Sequence, residues 1–177
     1  KSWLKFKSGK TRKTDVVSFE YHLEDNLFSL YEDLKSGQYT HSPYSYFQVF
    51  DNKKRDIYKA KVRDRVIHQI IFDHLVSIFE PTFISDSYAS RLNKGTHKAL
   101  GTMRYFVKLH RASGEACFVL KCDIRKYFDS IDQDILFGII QEKVLCAKTL
   151  VIIKEIIYSY NSSAGVGKGV PLGNSTS

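Results

Sequence analysis

Three carboxylates, Asp123, Asp129 and Asp132, fall within KCDIRKYFDSID at 121–132, directly after the apolar run ACFVL. An Asp leaving a buried strand is costly unless it is paired, hydrogen-bonded or bound to metal. Spacing alone does not choose, because Lys121, Arg125 and Lys126 are close enough in sequence to pair with Asp123. Asp132 reads as the N-cap of a following helix. Asp129 stays open between cap, ion pair and site. The sharper chemistry is metal-assisted phosphoryl transfer. Mg²⁺ takes oxygen ligands, usually one or two carboxylates plus substrate phosphates. Metal ions so held activate a hydroxyl and stabilise the leaving group. A strand end would hold such a carboxylate still.

The elements that must position these groups are legible from periodicity. Phe19, Leu23, Leu27, Leu30 and Leu34 predict a helix over 18–36, with Gly37 as its stop. YSYFQVF at 44–50 and RDIYKA at 55–60 flank turn residues and predict a hairpin that carries Lys53, Lys54, Arg55, Lys59 and Lys61. Residues 62–79 predict the clearest helix, apolar over a wide face and ended by Pro81. A helix over about 96–111 is expected to turn Ala99, Leu100, Met103, Phe106 and Val107 inward. Residues 116–122 read as a strand and 133–143 as a helix capped by Asp132. Residues 147–160 read as a helix, although their β-branched content leaves a strand open. The class is α+β, with no internal repeat and no linker inside 14–160.

Composition narrows the partner. The 177 residues suit one domain or a piece of a larger protein, and 43% hydrophobic with 14% aromatic residues excludes wholesale disorder. A net charge of +8 favours a polyanion, nucleic acid before an anionic membrane surface. Lys1, Lys5, Lys7, Lys10, Arg12 and Lys13 crowd the first thirteen residues, which read as a solvated tail or as a basic arm on a nucleic-acid backbone. No run of 18 apolar residues and no signal peptide occur, so no membrane partner is expected. Cys117, Cys122 and Cys146 lack a CxxC spacing, which argues against zinc or a disulfide framework and for a cytoplasmic, reducing setting. His68 and His74 share no helical face for a metal pair, and His97 reads as a polar helix-start residue.

Four segments carry a resemblance. DIRKYFDSID at 123–132 resembles motif A of reverse transcriptases, whose palm strand bears the first catalytic Asp. RDRVIHQIIFDHLVSIFEP at 63–81 resembles the first fingers motif, SYASRLNKGTHKAL at 87–100 the second, and GKGVPLGNSTS at 167–177 the Gly-x-Pro-x-Gly loop of motif B. Their order along the chain is the family's order. Group II intron enzymes usually carry Pro-Gln-Gly in motif B. Here Pro171-Leu172-Gly173-Asn174 has an aliphatic residue there, which is typical of diversity-generating retroelements and shared by some retron-like enzymes.

The resemblance implies the fingers and partial palm of a right-hand polymerase, truncated before a Tyr-x-Asp-Asp motif. A basic arm (1–17) would precede fingers (18–115) and partial palm (116–177). It implies an RNA-directed DNA polymerase that transfers a nucleotide from dNTP to a primer 3′-hydroxyl, error-prone opposite template adenines if the retroelement subgroup holds. Asp123 and the Ile124 carbonyl would hold Mg²⁺, with Mn²⁺ as the alternative. Phe128 would exclude a ribose 2′-hydroxyl, its plainer reading being a core aromatic. Arg55 and Arg63 would approach the triphosphate, with Lys54 and Lys61 as further candidates and a solvated basic hairpin as the plainer reading. Arg91 would brace the fingers or the template. Gly169, Pro171, Leu172 and Gly173 would form the wall under the nascent pair and template. The implied partners are an RNA template, a DNA or RNA primer, dNTPs and a basic helical accessory variability protein. Rivals are a group II intron-like or abortive-infection reverse transcriptase, and a non-catalytic RNA-binding module of the same fold.

The chain opens on Lys1 and stops inside a Gly-, Ser- and Asn-rich loop, so it is expected to be the front of a longer protein. No Asp or Glu follows Glu155. The remaining catalytic carboxylates are expected past Ser177, and residues 1–177 alone are expected not to polymerise.

Overall fold

A computed structural model describes residues 2–51, 53–114 and 116–171. They form α1 (Ser2–Lys7), α2 (Thr14–Tyr21), α3 (Leu23–Ser36), β1 (Ser45–Asp51), β2 (Lys53–Lys59), α4 (Val62–Phe79), α5 (Thr96–Ser113), α6 (Tyr127–Ser130), α7 (Gln133–Gln141) and α8 (Ala147–Tyr158). A mixed α+β chain is therefore present, with β1 and β2 as the sheet among the described residues. Two compact units divide it: Lys1–Leu75 with the chain from Lys126 onward, and Val76–Arg125.

In the first unit, α4 supplies the spine. Val62, Val66, Ile67 and Ile71 are buried at helical spacing, the stripe its periodicity dictates. Pro81 follows in a 3₁₀ turn, Glu80–Thr82. The expected helix over 18–36 is instead two helices that break at His22, whose ψ of 43° is not helical. The Asn26 side chain donates to the Phe19 carbonyl at 2.9 Å, and so satisfies an acceptor the break exposes. Gly37 ends α3 in the left-handed region at φ 74°, as its place after the last apolar residue predicts.

Residues 2–7 are not a solvated tail. Phe6 is fully buried and Trp3 nearly so. The Arg65 guanidinium lies 5.3 Å from the Phe6 ring centroid, Lys5 pairs with Asp73 at 2.8 Å and Lys7 pairs with Glu20. The aromatic pair supplies apolar area that outweighs the cost of ordering the segment, and Lys5, Lys7 and Lys10 take internal partners.

A buried polar knot sits beside α4. Asp64, wholly buried, accepts from the Tyr39 hydroxyl at 3.0 Å and from Ser42 N at 3.3 Å. His41 Nδ1 lies 2.7 Å from the Ser42 carbonyl, and its Nε2 lies 3.1 Å from His68 Nε2. A carbonyl only accepts, so His41 carries its proton on Nδ1 and accepts at Nε2. His68 then donates from Nε2, which leaves its Nδ1 a bare lone pair; that buried atom indeed has no partner among the described residues.

α7 and α8 close the unit. Asp132 caps α7 as expected, accepting from Asp134 N at 3.1 Å and Ile135 N at 3.0 Å. Residues 147–158 are helical, with Ile153, Ile156 and Ile157 buried.

The second unit departs from expectation. Residues 116–122 form no strand, and Phe118, Val119 and Leu120 are 92%, 78% and 87% exposed. A strand is stable only when its backbone groups are paired, and no described segment pairs this one. The inward face expected of α5 is also open, with Leu100, Met103 and Phe106 exposed.

Candidate functional site

The hairpin, the Asp129 segment and the loop after α8 meet around a cavity of about 230 Å³. It is lined by Lys54, Arg55, Asp56, Tyr58, Asp129, Tyr160 and Ser163. The register places Tyr46 opposite Tyr58, Gln48 opposite Asp56 and Phe50 opposite Lys54. Alternation therefore puts Lys54, Asp56 and Tyr58 on one face. On that face the Tyr46 hydroxyl donates to Asp56 at 2.8 Å and the Gln48 amide at 2.9 Å. These bonds, the Tyr46 one first, hold the Asp56 carboxyl below its usual range. Tyr58 meets Tyr160 edge to face at 4.9 Å, and Tyr44 meets Tyr160 at 5.9 Å. Burial is the chief reason the Tyr160 hydroxyl is pushed up to about 12, so it stays a neutral donor at neutral pH.

A dense set of bonds fixes the floor. Val170 N donates to the Phe128 carbonyl at 2.9 Å, Gly169 N to the Ile131 carbonyl at 2.7 Å and Ser162 Oγ to the Asp129 carbonyl at 2.8 Å. Gln133, 1% exposed, donates its amide to the carbonyls of Tyr160 at 2.5 Å and Gly169 at 2.9 Å. Lys168 pairs with Asp132 at 2.7 Å, which with the cap bonds holds that carboxyl low. Gly169 is required here. Its φ is 89°, and a Cβ would stand 2.5 Å from Ser162 Cβ, a clash no side chain tolerates.

The expected residues separate. Lys54 and Arg55 come together with Asp129, while Phe128 is half-buried with its ring against Tyr127. Arg63 does not line this cavity. It pairs with Asp33 at 2.6 Å and lies over the Tyr39 ring. Pro171 is buried and borders an apolar cavity with Val170, Ile153 and Ile157. Leu172 and Gly173 lie outside the described residues. In the second unit, Arg91 donates to Glu80 at 2.9 Å and to the carbonyls of Ile84 and Ser87 at 2.8 and 2.9 Å, and so binds its own loop together. Asp123 and Ile124 are exposed there, on a segment that is not a buried strand. Among the described residues no three His, Cys, Asp or Glu side chains cluster as a metal site would require. Sequence reading missed Tyr58, Tyr160, Ser163 and Gln133. The turn-forming run SYNSSAGVGKG was the one signal near them.

The cavity is lined by two cations, Lys54 and Arg55, two carboxylates, Asp56 and Asp129, and the hydroxyl-bearing Tyr58, Tyr160 and Ser163. Such a set suits a phosphorylated ligand.

Comparison with known proteins matches no family model. The chain is 29% identical over 140 residues to the group II intron-encoded protein LtrA of Lactococcus lactis subsp. cremoris, covering 77% of this chain and 22% of that protein. It is 26% identical over 182 residues to protein YkfC of Escherichia coli K12, covering 96% of this chain and 47% of that one. Nuclear intron maturase 1, mitochondrial, of Arabidopsis thaliana is 28% identical over 132 residues, covering 68% of this chain and 17% of its own length. The chain thus spans less than half of each relative. No helix of the described residues is long and apolar enough to cross a membrane. The similarity supports a reverse-transcriptase-like relationship with intron-encoded proteins and does not reach the subgroup level.

Proposed function

We propose that this chain is the nucleotide-receiving part of an RNA-directed DNA polymerase. The observation that carries the reading is the convergence of Lys54 and Arg55 on Asp129, against a floor that pins the Phe128 and Asp129 carbonyls. Lys54 and Arg55 meet the triphosphate of the incoming dNTP. Phe128 stands where a ribose 2′-hydroxyl would clash. The motif B loop from Gly169, through Pro171, Leu172 and Gly173, supports the nascent pair, and Arg91 holds its loop in shape near the RNA template. Asp123 offers an exposed hard-oxygen donor, and with the Ile124 carbonyl it fits the one or two protein oxygens that Mg²⁺ or Mn²⁺ takes beside substrate phosphates. When bound, the metal supplies Lewis-acid activation of the primer hydroxyl. An aliphatic Leu172 favours the retroelement subgroup, with its accessory variability protein, over the group II intron type.

In the polymerase that carries this chain, Asp123→Ala is expected to abolish DNA synthesis and to leave RNA binding intact. Lys54→Ala with Arg55→Ala is expected to raise the KM for dNTP about tenfold, the effect of roughly 1.4 kcal/mol. Primer extension on an RNA template with varied dNTP measures both. Synthesis that survives Asp123→Ala overturns the metal role and favours the non-catalytic RNA-binding rival.

A further inference from the structure

Phe128 and Asp129 sit on a single helical turn, α6, whose four residues are too few to hold a helix by themselves. The turn starts from Lys126, whose φ of 51° is left-handed for a residue with a side chain. Such a conformation persists only where its surroundings over-determine it. The loop 162–170 supplies that constraint from outside. The Phe128 carbonyl accepts from Val170 N at 2.9 Å, the Asp129 carbonyl from the Ser162 hydroxyl at 2.8 Å and the Ile131 carbonyl from Gly169 N at 2.7 Å.

The outer two of these bonds use backbone donors. The middle one depends on one side chain. Ser162 is buried, and the loop locks it in place. Its N–H donates to the Lys168 carbonyl at 2.8 Å, its carbonyl accepts from Gly165 N at 3.2 Å and its hydroxyl accepts from Ala164 N at 3.2 Å. The single hydroxyl proton goes to Asp129. Two peptide planes flank Asp129. The Val170 bond orients the one before it and the Ser162 bond the one after it. Together they set the backbone angles of Asp129 and the ψ of Phe128. Backbone angles decide which rotamers are open, so the loop settles where the Phe128 ring points. That ring is half-buried, against Tyr127 at 5.3 Å, so core packing does not fix it alone.

We propose that Ser162 is a positioning residue for sugar selection: its bond to the Asp129 carbonyl holds the Phe128 ring where it excludes a ribose 2′-hydroxyl. Ser162 does not line the cavity at Lys54, Arg55 and Asp129, and it acts through Phe128. The proposal rests on the polymerase reading for its substrate.

The test is single-nucleotide primer extension on an RNA template by the polymerase that carries this chain. Ser162→Ala is expected to lower the ratio of kcat/KM for dNTP to that for the matching rNTP about tenfold, with kcat for dNTP changed less than about threefold. A merely structural serine would lower both substrates alike and leave the ratio where it was. In a Phe128→Ala background, which lacks the ring, Ser162→Ala is expected to move the ratio less than about twofold, because residues that act as one unit are not additive. Hydrogen exchange gives a readout without synthesis. In Ser162→Ala the amides of Gly169 and Val170 are expected to exchange about tenfold faster, while 66–71 in α4 keep their protection. An unchanged ratio, an equal effect with and without the Phe128 ring, unchanged exchange at 169 and 170, or lost protection in α4 would overturn the Ser162 assignment and leave the polymerase reading standing. Absence of DNA synthesis by the wild-type enzyme would overturn the polymerase reading, and the sugar role with it.

Discussion

Lys1–Leu75 with the chain from Lys126 contains every buried residue among those described, from Phe6 and Val16 to Ile153 and Ser162. Val76–Arg125 contains none, although Phe83, Leu100, Met103, Phe106, Phe118 and Leu120 are as apolar as anything in the first unit. The difference teaches that apolar sequence proposes a core and a covering partner makes one. In the first unit each apolar stripe finds another: α1 on α2 and α4, α7 on α8. In the second, α5 and 116–122 present their apolar side chains to solvent. The chemistry divides in the same way. The cavity at Lys54, Arg55 and Asp129 is held by buried Gln133 and a lattice of backbone bonds, whereas Asp123 sits on an unpaired segment.

The largest effect that would break this contrast is at Phe6. Phe6→Ala empties a fully buried site beneath Arg65, and is expected to cost about 3–5 kcal/mol by urea unfolding. A cost below about 1 kcal/mol would mean that the N-terminal segment is not part of the core.

The polar knot gives a pH test. Burial, and then the neighbouring His41, hold the His68 imidazole down at about 4 from 6.5. The folded chain keeps His68 neutral while the unfolded chain takes up the proton. Stability from this group is therefore complete above about pH 6.5 and is lost as pH falls towards 4, by roughly 3 kcal/mol in all. Asp64 opposes the shift and Arg65 supports it. His68→Gln keeps a donor for His41 and cannot titrate. The difference in unfolding free energy between wild type and His68→Gln, followed from pH 7 to 4, is expected to shrink accordingly; a constant difference would refute the assigned protonation.

The smallest effect sharpens the second unit. Phe118→Ser, at a side chain 92% exposed, is expected to change stability by less than about 0.5 kcal/mol. A loss above about 1 kcal/mol would show that 116–122 is covered in solution, for example by a paired strand.

Only part of the candidate site was readable before the fold. Lys54 and Arg55 lie beside an obvious turn, and Asp132 declares itself as a cap because its acceptor and the orphan N–H groups are two and three residues apart. Asp129 stays open in the sequence, since its cavity also needs Tyr160 and Ser163 from more than thirty residues downstream and Tyr58 from more than seventy upstream. Arg63 shows the opposite failure: it shares the basic character of Arg55, but Asp33 in α3 takes its guanidinium.

By itself the sequence determined what depends on neighbours along the chain. It set the apolar stripe and end of α4, the hairpin's alternation, the cap of α7 and the left-handed stop at Gly37. Each follows from interactions within a turn or two, or across a short reversal. The tertiary structure alone decided which stripes found cover. It docked the basic N-terminal residues, split the helix at His22, left 116–122 unpaired and demanded glycine at 169 through Ser162. Burial, pairing and close approach are properties of two segments at once, and the identity of the second is set by packing rather than by spacing.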